Sequence, residues 1–288
     1  MRFGVILPQG WRGDLPGRDF ETVAGVARAA DELGFDSIWM YDHLQTRDGD
    51  PEPVLECWTA LAALARETKR IRLGQIVTCA LYRNPGLLAQ MANTLDAASG
   101  DRVFLGVGAG WAEREYVDFE YSDALPPVRD RLAHLEHTLQ VLRARRPDRP
   151  ILVGGAGEKV LLRLVAQYAD ACNVGGGNPE TITQKLGVLK GHCDKLGRDY
   201  DSIIKSTSLN VFPIEAGEDP DTATEKARGG VPFEQFANGT IIGTTAEIAD
   251  ATEKALGAGA DYIIYYVPGV AYDLELLTTV EDTIKQYA

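Results

Sequence analysis

Cysteine is scarce in this sequence: Cys57, Cys79, Cys172 and Cys193 are the only four among 288 residues, and no two form a CxxC pair. They read as reduced thiols of a cytoplasmic protein rather than as a disulfide framework. No apolar run approaches the ~18 residues of a membrane span. The opening residues 1–8 hold an apolar stretch that Pro8 breaks, too short for a signal peptide. Basic residues are in deficit, 29 Lys and Arg against 42 Asp and Glu, a net charge of -13. That sign excludes nucleic acid or an anionic membrane as the main partner. A small anionic ligand stays possible, because backbone N–H groups at a helix start bind anions locally. The chain also lacks a GxSxG elbow, a Walker ending and any low-complexity segment.

What remains is a regular alternation. Apolar, β-rich runs occur at residues 3–7, 37–41, 71–78, 103–107, 151–153, 171–174, 203–211 and 262–267. They are continuous rather than alternating, as parallel strands buried on both faces require. Helical patterns separate them. One spans residues 20–33 and stops at Gly34; Asn84-Pro85 and Asn178-Pro179 read as caps followed by proline at the first helical position. Thr244 with Glu247 fits a capping box, and Asp273 is a candidate cap for the last helix. Eight strands alternating with helices, with no linker, predict one α/β domain over residues 1–288, a single (β/α)8 TIM barrel. Residues 215–232, rich in Gly, Pro and Asp, read as a long loop after the seventh strand.

In such a barrel the chemistry sits on loops after strand C-termini. After the second strand come Asp42 and His43. Histidine moves protons near neutral pH, and a carboxylate can orient it; the bland alternative is a polar loop. After the fourth strand come Gly108, Ala109 and Gly110, then Trp111, so the run is not a dinucleotide fingerprint. Glycines there let a flat ring or a phosphate approach the backbone, or simply allow tight packing. After the fifth come Gly154, Gly155, Ala156 and Gly157, opening a helix, and after the sixth Gly175 and Gly176. Two neighbouring glycine-rich strand ends suit a phosphate. His134 and His137 have metal-like spacing but no third ligand, so they read as a solvated helix face; no metal site is expected.

The ordered set Pro8-Gln9-Gly10-Trp11, Ser37-Ile38-Trp39-Met40-Tyr41-Asp42-His43, Arg83-Asn84-Pro85 and Leu105-Gly106-Val107-Gly108-Ala109-Gly110-Trp111 with Glu115 resembles the bacterial luciferase-like superfamily. Residues 154–159, 167–173 and 259–262 continue the likeness, which spans nearly the whole chain. It is most similar to the branch of oxidoreductases that use the deazaflavin coenzyme F420. The resemblance implies a (β/α)8 barrel with the deazaflavin ring in its mouth and hydride transfer to or from a small organic substrate. It implies a catalytic His43, with Asp42 beside it as a cofactor-binding residue, and a cis peptide at Ile76-Val77 backing the ring. Residues 108–111 would line the cofactor and residues 154–157 would hold its phosphate. A homodimer is also implied. The alternatives are a flavin mononucleotide (FMN) monooxygenase on the same scaffold and a non-catalytic flavin- or deazaflavin-binding protein. Where some family dehydrogenases carry a glutamate acid this chain has Trp111, so Glu113 or Glu115 would have to reach in. The hairpin that many relatives insert before the fifth strand is reduced to residues 144–150.

Overall fold

Each strand of the sheet splits its side chains between two apolar environments. In β10 (Tyr262–Tyr266), Tyr262, Ile264 and Tyr266 point into one buried cluster and Ile263 and Tyr265 into another. That division is the period-two geometry of an extended chain inside a closed sheet. The computed structural model describes residues 1–47, 49–50, 54–155, 157–174 and 176–287. Its strands are β1 (Arg2–Ile6), β2 (Ser37–Met40), β3 (Arg72–Gln75), β4 (Thr78–Cys79), β5 (Val103–Gly108), β6 (Ile151–Gly154), β7 (Ala171–Asn173), β8 (Ile204–Pro213), β9 (Ile241–Gly243) and β10. All pairings are parallel, and β10 pairs with both β8 and β1, which closes the barrel. The short β9 lies outside the ring, paired with the end of β8 at residues 211–213.

The helices follow the sequence signals closely. They are α1 (Phe20–Leu33), α2 (Cys57–Glu67), α3 (Pro85–Ser99), α4 (Glu113–Asp118), α5 (Val128–Arg145), α6 (Leu161–Tyr168), α7 (Pro179–Leu196), α8 (Pro220–Arg228), α9 (Phe233–Ala237), α10 (Thr245–Gly257) and α11 (Glu275–Ile284). Gly34 ends α1 at φ 89°, and Asn84 and Asn178 accept from the first free N–H groups of α3 and α7. Thr244 and Glu247 form the reciprocal capping box of α10. Such caps are each worth about 1 kcal/mol.

Two expectations need correction. Residues 215–232 are not a long loop: Asp219 caps α8 by accepting from Thr222 N, with Pro220 at the first position. Asp219-Pro220 is the same signal as Asn84-Pro85, hidden by the surrounding Gly and Asp. The run 71–78 is not one continuous strand either, for it breaks into β3 and β4 around a cis Ile76-Val77 peptide. The Val77 side chain is seated against β5 and β6, and a Cβ at Gly108 or Gly154 would stand 2.7 Å from its methyl carbons. Some of the glycines in the mouth are therefore required by the protein's own packing.

Trp39 fills the barrel centre, fully buried, in a space that Gly74 leaves by having no side chain. The face opposite the mouth is tied by backbone-directed charges. Arg102 donates to the carbonyls of Ala65, Thr68 and Ile71, and Asp31 accepts from the N–H groups of Lys69, Arg70 and Ile71. Among the described residues no helix is long and apolar enough to cross a membrane.

Candidate active site

At the C-terminal ends of the strands lies a cleft of about 400 Å3, within the range of small-molecule sites. Its walls come from the loops after β1, β2, β4, β5 and β6. Apolar surfaces dominate: Trp11, Ile76, Val77, Ala109 and Leu161, with glycine backbone at Gly108, Gly110, Gly154 and Gly155. Asn173 sits at its edge, its amide donating to Ser206 and Ser208.

His43 is the imidazole in this wall, 12% exposed at its side chain. Its ring stacks on Trp11 with centroids 3.9 Å apart and planes within 7°, and Trp111 meets it edge-on at 5.4 Å. His43 Nδ1 lies 2.8 Å from Glu115 Oε1, on the first turn of α4. The Tyr82 hydroxyl donates to Glu115 Oε2 at 2.8 Å. Burial, then the neighbouring Glu115 charge, pushes the Tyr82 phenol far above its ordinary value, so it stays a donor. Among the described residues His43 Nε2 has no hydrogen-bond partner.

Asp42 behaves differently from its neighbour. Its carboxylate is taken up by a two-pronged pairing with Arg83 at 2.6 and 2.9 Å, by Cys57 Sγ and by Cys79 N. Burial pushes its pKa up and the Arg83 charge pulls it back, while the same pairing holds Arg83 firmly protonated. Glu56 shares the Arg83 guanidinium at 2.7 Å. Asp42, Glu56 and Cys57 have metal-like spacing, but Arg83 already pairs with both carboxylates and the Cys57 thiol donates to Asp42. Asp42 thus anchors the β2 and β4 loops to each other, and its carboxylate does not face the cleft as a free group.

The other sequence candidates divide three ways. Ile76, Val77, Gly108, Ala109, Gly110, Gly154 and Gly155 line the cleft. Gly157 lines an adjoining groove with Arg131 and Lys159, and Gly176 is exposed outside the cleft lining. Ala156 and Gly175 lie outside the described residues. His134 is no ligand: its Nε2 is 3.0 Å from the carbonyl of Ala80, fixing α5 to the turn before Arg83. Sequence reading missed Trp11, Cys57 and Arg83 as members of the site. Arg83 stood inside a quoted motif, but no spacing rule connects it to Asp42 across 41 residues.

The cleft is not uniformly acidic despite the chain's charge. Arg12 donates to the Tyr41 hydroxyl at 2.9 Å and lies 4.2 Å over the Tyr266 ring. The helix α6 starts at Leu161, and its cap residue Val160 makes no side-chain cap, unlike those of α1, α3, α7, α8 and α10. At this start the Leu162 N–H is taken by the Gly157 carbonyl at 3.0 Å.

A parallel barrel whose mouth joins an apolar, glycine-walled cleft to a single positioned imidazole defines a cofactor-using barrel enzyme. The chain belongs to the luciferase-like monooxygenase family, matching it over residues 1–260. Among its relatives is an F420-dependent glucose-6-phosphate dehydrogenase of Tsukamurella paurometabola, 25% identical over 85% of this chain and 87% of that protein. Two solved structures share the fold. The monooxygenase RslO1 from Streptomyces bottropensis superposes with a TM-score of 0.80 at 20% identity, covering all of both chains. An F420-dependent secondary alcohol dehydrogenase, in complex with an F420-acetone adduct, superposes with 0.74 at 17% identity over 97% of this chain and 99% of that one.

Proposed function

We propose that this protein is an oxidoreductase that uses the deazaflavin coenzyme F420 for hydride transfer to or from a small organic substrate. The observation that carries the reading is His43, held by Glu115 and Trp11 in the wall of a flat apolar cleft, with Nε2 unengaged. The cleft fits the cofactor. Ile76, Val77, Gly108, Ala109 and Gly110 offer an apolar, largely side-chain-free surface for a tricyclic ring. Gly154 and Gly157, beside the start of α6, offer backbone without side chains for a phosphate, while the Gly155 N–H is taken by the Asn173 carbonyl. When bound, the deazaflavin supplies the hydride chemistry; the protein supplies orientation and electrostatics. His43 takes up or delivers the accompanying proton at Nε2. The stacked Trp11 fixes the plane of the imidazole, and the Asp42–Arg83 pair fixes the loops that carry it. Reduced, buried cysteines support a cytoplasmic setting, and the working assembly is a homodimer, checked by its mass in solution.

Fluorescence titration tests the cofactor assignment: the deazaflavin should bind more tightly than FMN. The reverse order would favour an FMN monooxygenase on the same barrel. Binding of either without turnover of any alcohol or carbonyl substrate would favour a non-catalytic carrier.

A further inference from the structure

His43 has two carboxylates near it, and the structure gives them different work. Asp42, adjacent in sequence, is consumed by Arg83, Cys57 and the Cys79 N–H. Glu115, from α4, is 4% exposed and bridges His43 Nδ1 and the Tyr82 hydroxyl, each at 2.8 Å. An ionised carboxylate only accepts hydrogen bonds, so the His43 nitrogen facing it carries the proton. The Tyr82 hydroxyl, donating to the second oxygen, leaves Glu115 with no oxygen that needs a proton of its own. The lone pair of a neutral His43 is then confined to Nε2.

We propose that Glu115, clamped by Tyr82, is a positioning residue that fixes His43 in the Nδ1–H form and presents a basic Nε2 to the cleft. This goes beyond the hydride-transfer reading and rests on it only for the consequence to turnover. Trp11 sets the plane of the ring and Glu115 sets its rotation within that plane. The loop position where some relatives carry a glutamate is Trp111 here, and it is 68% exposed. The carboxylate is instead delivered from one turn of helix beyond it, behind the imidazole rather than in front. Glu115 is buried and is not among the cleft-lining residues, so it acts through His43.

The test uses 15N-imidazole-labelled protein without cofactor, in which His43, His134, His137 and His192 are the only histidines and His43→Asn assigns the signal. Near neutral to mildly basic pH, His43 should show a protonated Nδ1 and an unprotonated Nε2. Glu115→Ala should convert this to a mixture of both tautomers. In turnover with the deazaflavin it should lower kcat at least ~100-fold while KM stays within about threefold. Glu115→Gln keeps an acceptor oxygen without the charge; it should retain the tautomer and lose roughly tenfold in kcat. It carries the test if the alanine variant does not fold. A single Nδ1–H tautomer in Glu115→Ala, or full kcat in folded Glu115→Gln, would overturn the proposal. If no deazaflavin binds at all, the function falls while the tautomer result still stands or fails by itself.

Discussion

The loops that follow β2, β4 and β5 bring His43, Asp42, Arg83, Tyr82 and Glu115 into two hydrogen-bonded groups, whereas the loop that follows β6 brings glycine. Both halves belong to one mouth and both sit at strand C-termini. The first half is charged, buried and over-determined: each carboxylate oxygen of Asp42 and Glu115 has at least one partner. The second half offers backbone and an uncapped helix start. A group that must move a proton needs a fixed direction, which buried side chains supply. A group that must receive a phosphate needs open N–H donors and no Cβ in the way. On the function proposed above, proton movement falls to the first half and cofactor anchoring to the second.

The sharpest way to break the first half is Arg83→Met. It would leave Asp42 as an uncompensated buried charge, and thermal or denaturant unfolding should report a loss of about 3–5 kcal/mol. A loss under 1 kcal/mol would mean that the pairing is not what holds the loops. His43→Ala comes next. The ring is peripheral to the fold, so stability should hold, but turnover should fall at least ~100-fold, or about 2.7 kcal/mol. Steady-state kinetics with any working substrate reads this directly.

In the second half, Gly155→Asp would place a carboxylate at the phosphate side of the mouth. Gly155 has φ 126°, and a Cβ there would stand 3.0 Å from Leu161 Cδ1, so strain and charge act together. Cofactor binding should weaken at least tenfold, about 1.4 kcal/mol, in a variant that remains folded. The last effect concerns Cys79, whose thiol burial pushes up to about 12. The folded state favours the neutral thiol, so this contribution is complete below the unfolded thiol pKa of about 8.5. It is lost as pH rises from there towards about 12. Alkylation at mildly basic pH should therefore be slow in the native protein and fast only after unfolding.

Much of the barrel could be read from the residues. The capped helix starts at Asn84, Asn178 and Thr244 are local signals, and the eight apolar runs matched strands because burial on both faces leaves a composition mark. The break at Ile76-Val77 came from resemblance, since no local pattern marks it. The helix α8 was missed because Gly and Asp content outweighed one cap. In the site, the residue types were legible but their pairings were not. Asp42 is next to His43 in sequence, but side chains of adjacent residues diverge, and the partner of His43 came from 72 residues away. Long-range pairings of this kind are set by which strands become neighbours, which periodicity does not encode.

The division between the two halves is tested most directly by titrating the deazaflavin into His43→Asn and Gly155→Asp side by side with the unaltered protein. The account predicts that His43→Asn binds within about threefold of the unaltered protein, because an amide fills much the same space without titrating near neutral pH, while Gly155→Asp binds at least tenfold more weakly. Collapse of affinity in His43→Asn together with unchanged affinity in folded Gly155→Asp would contradict it, placing the anchor on the side of the mouth assigned to the proton.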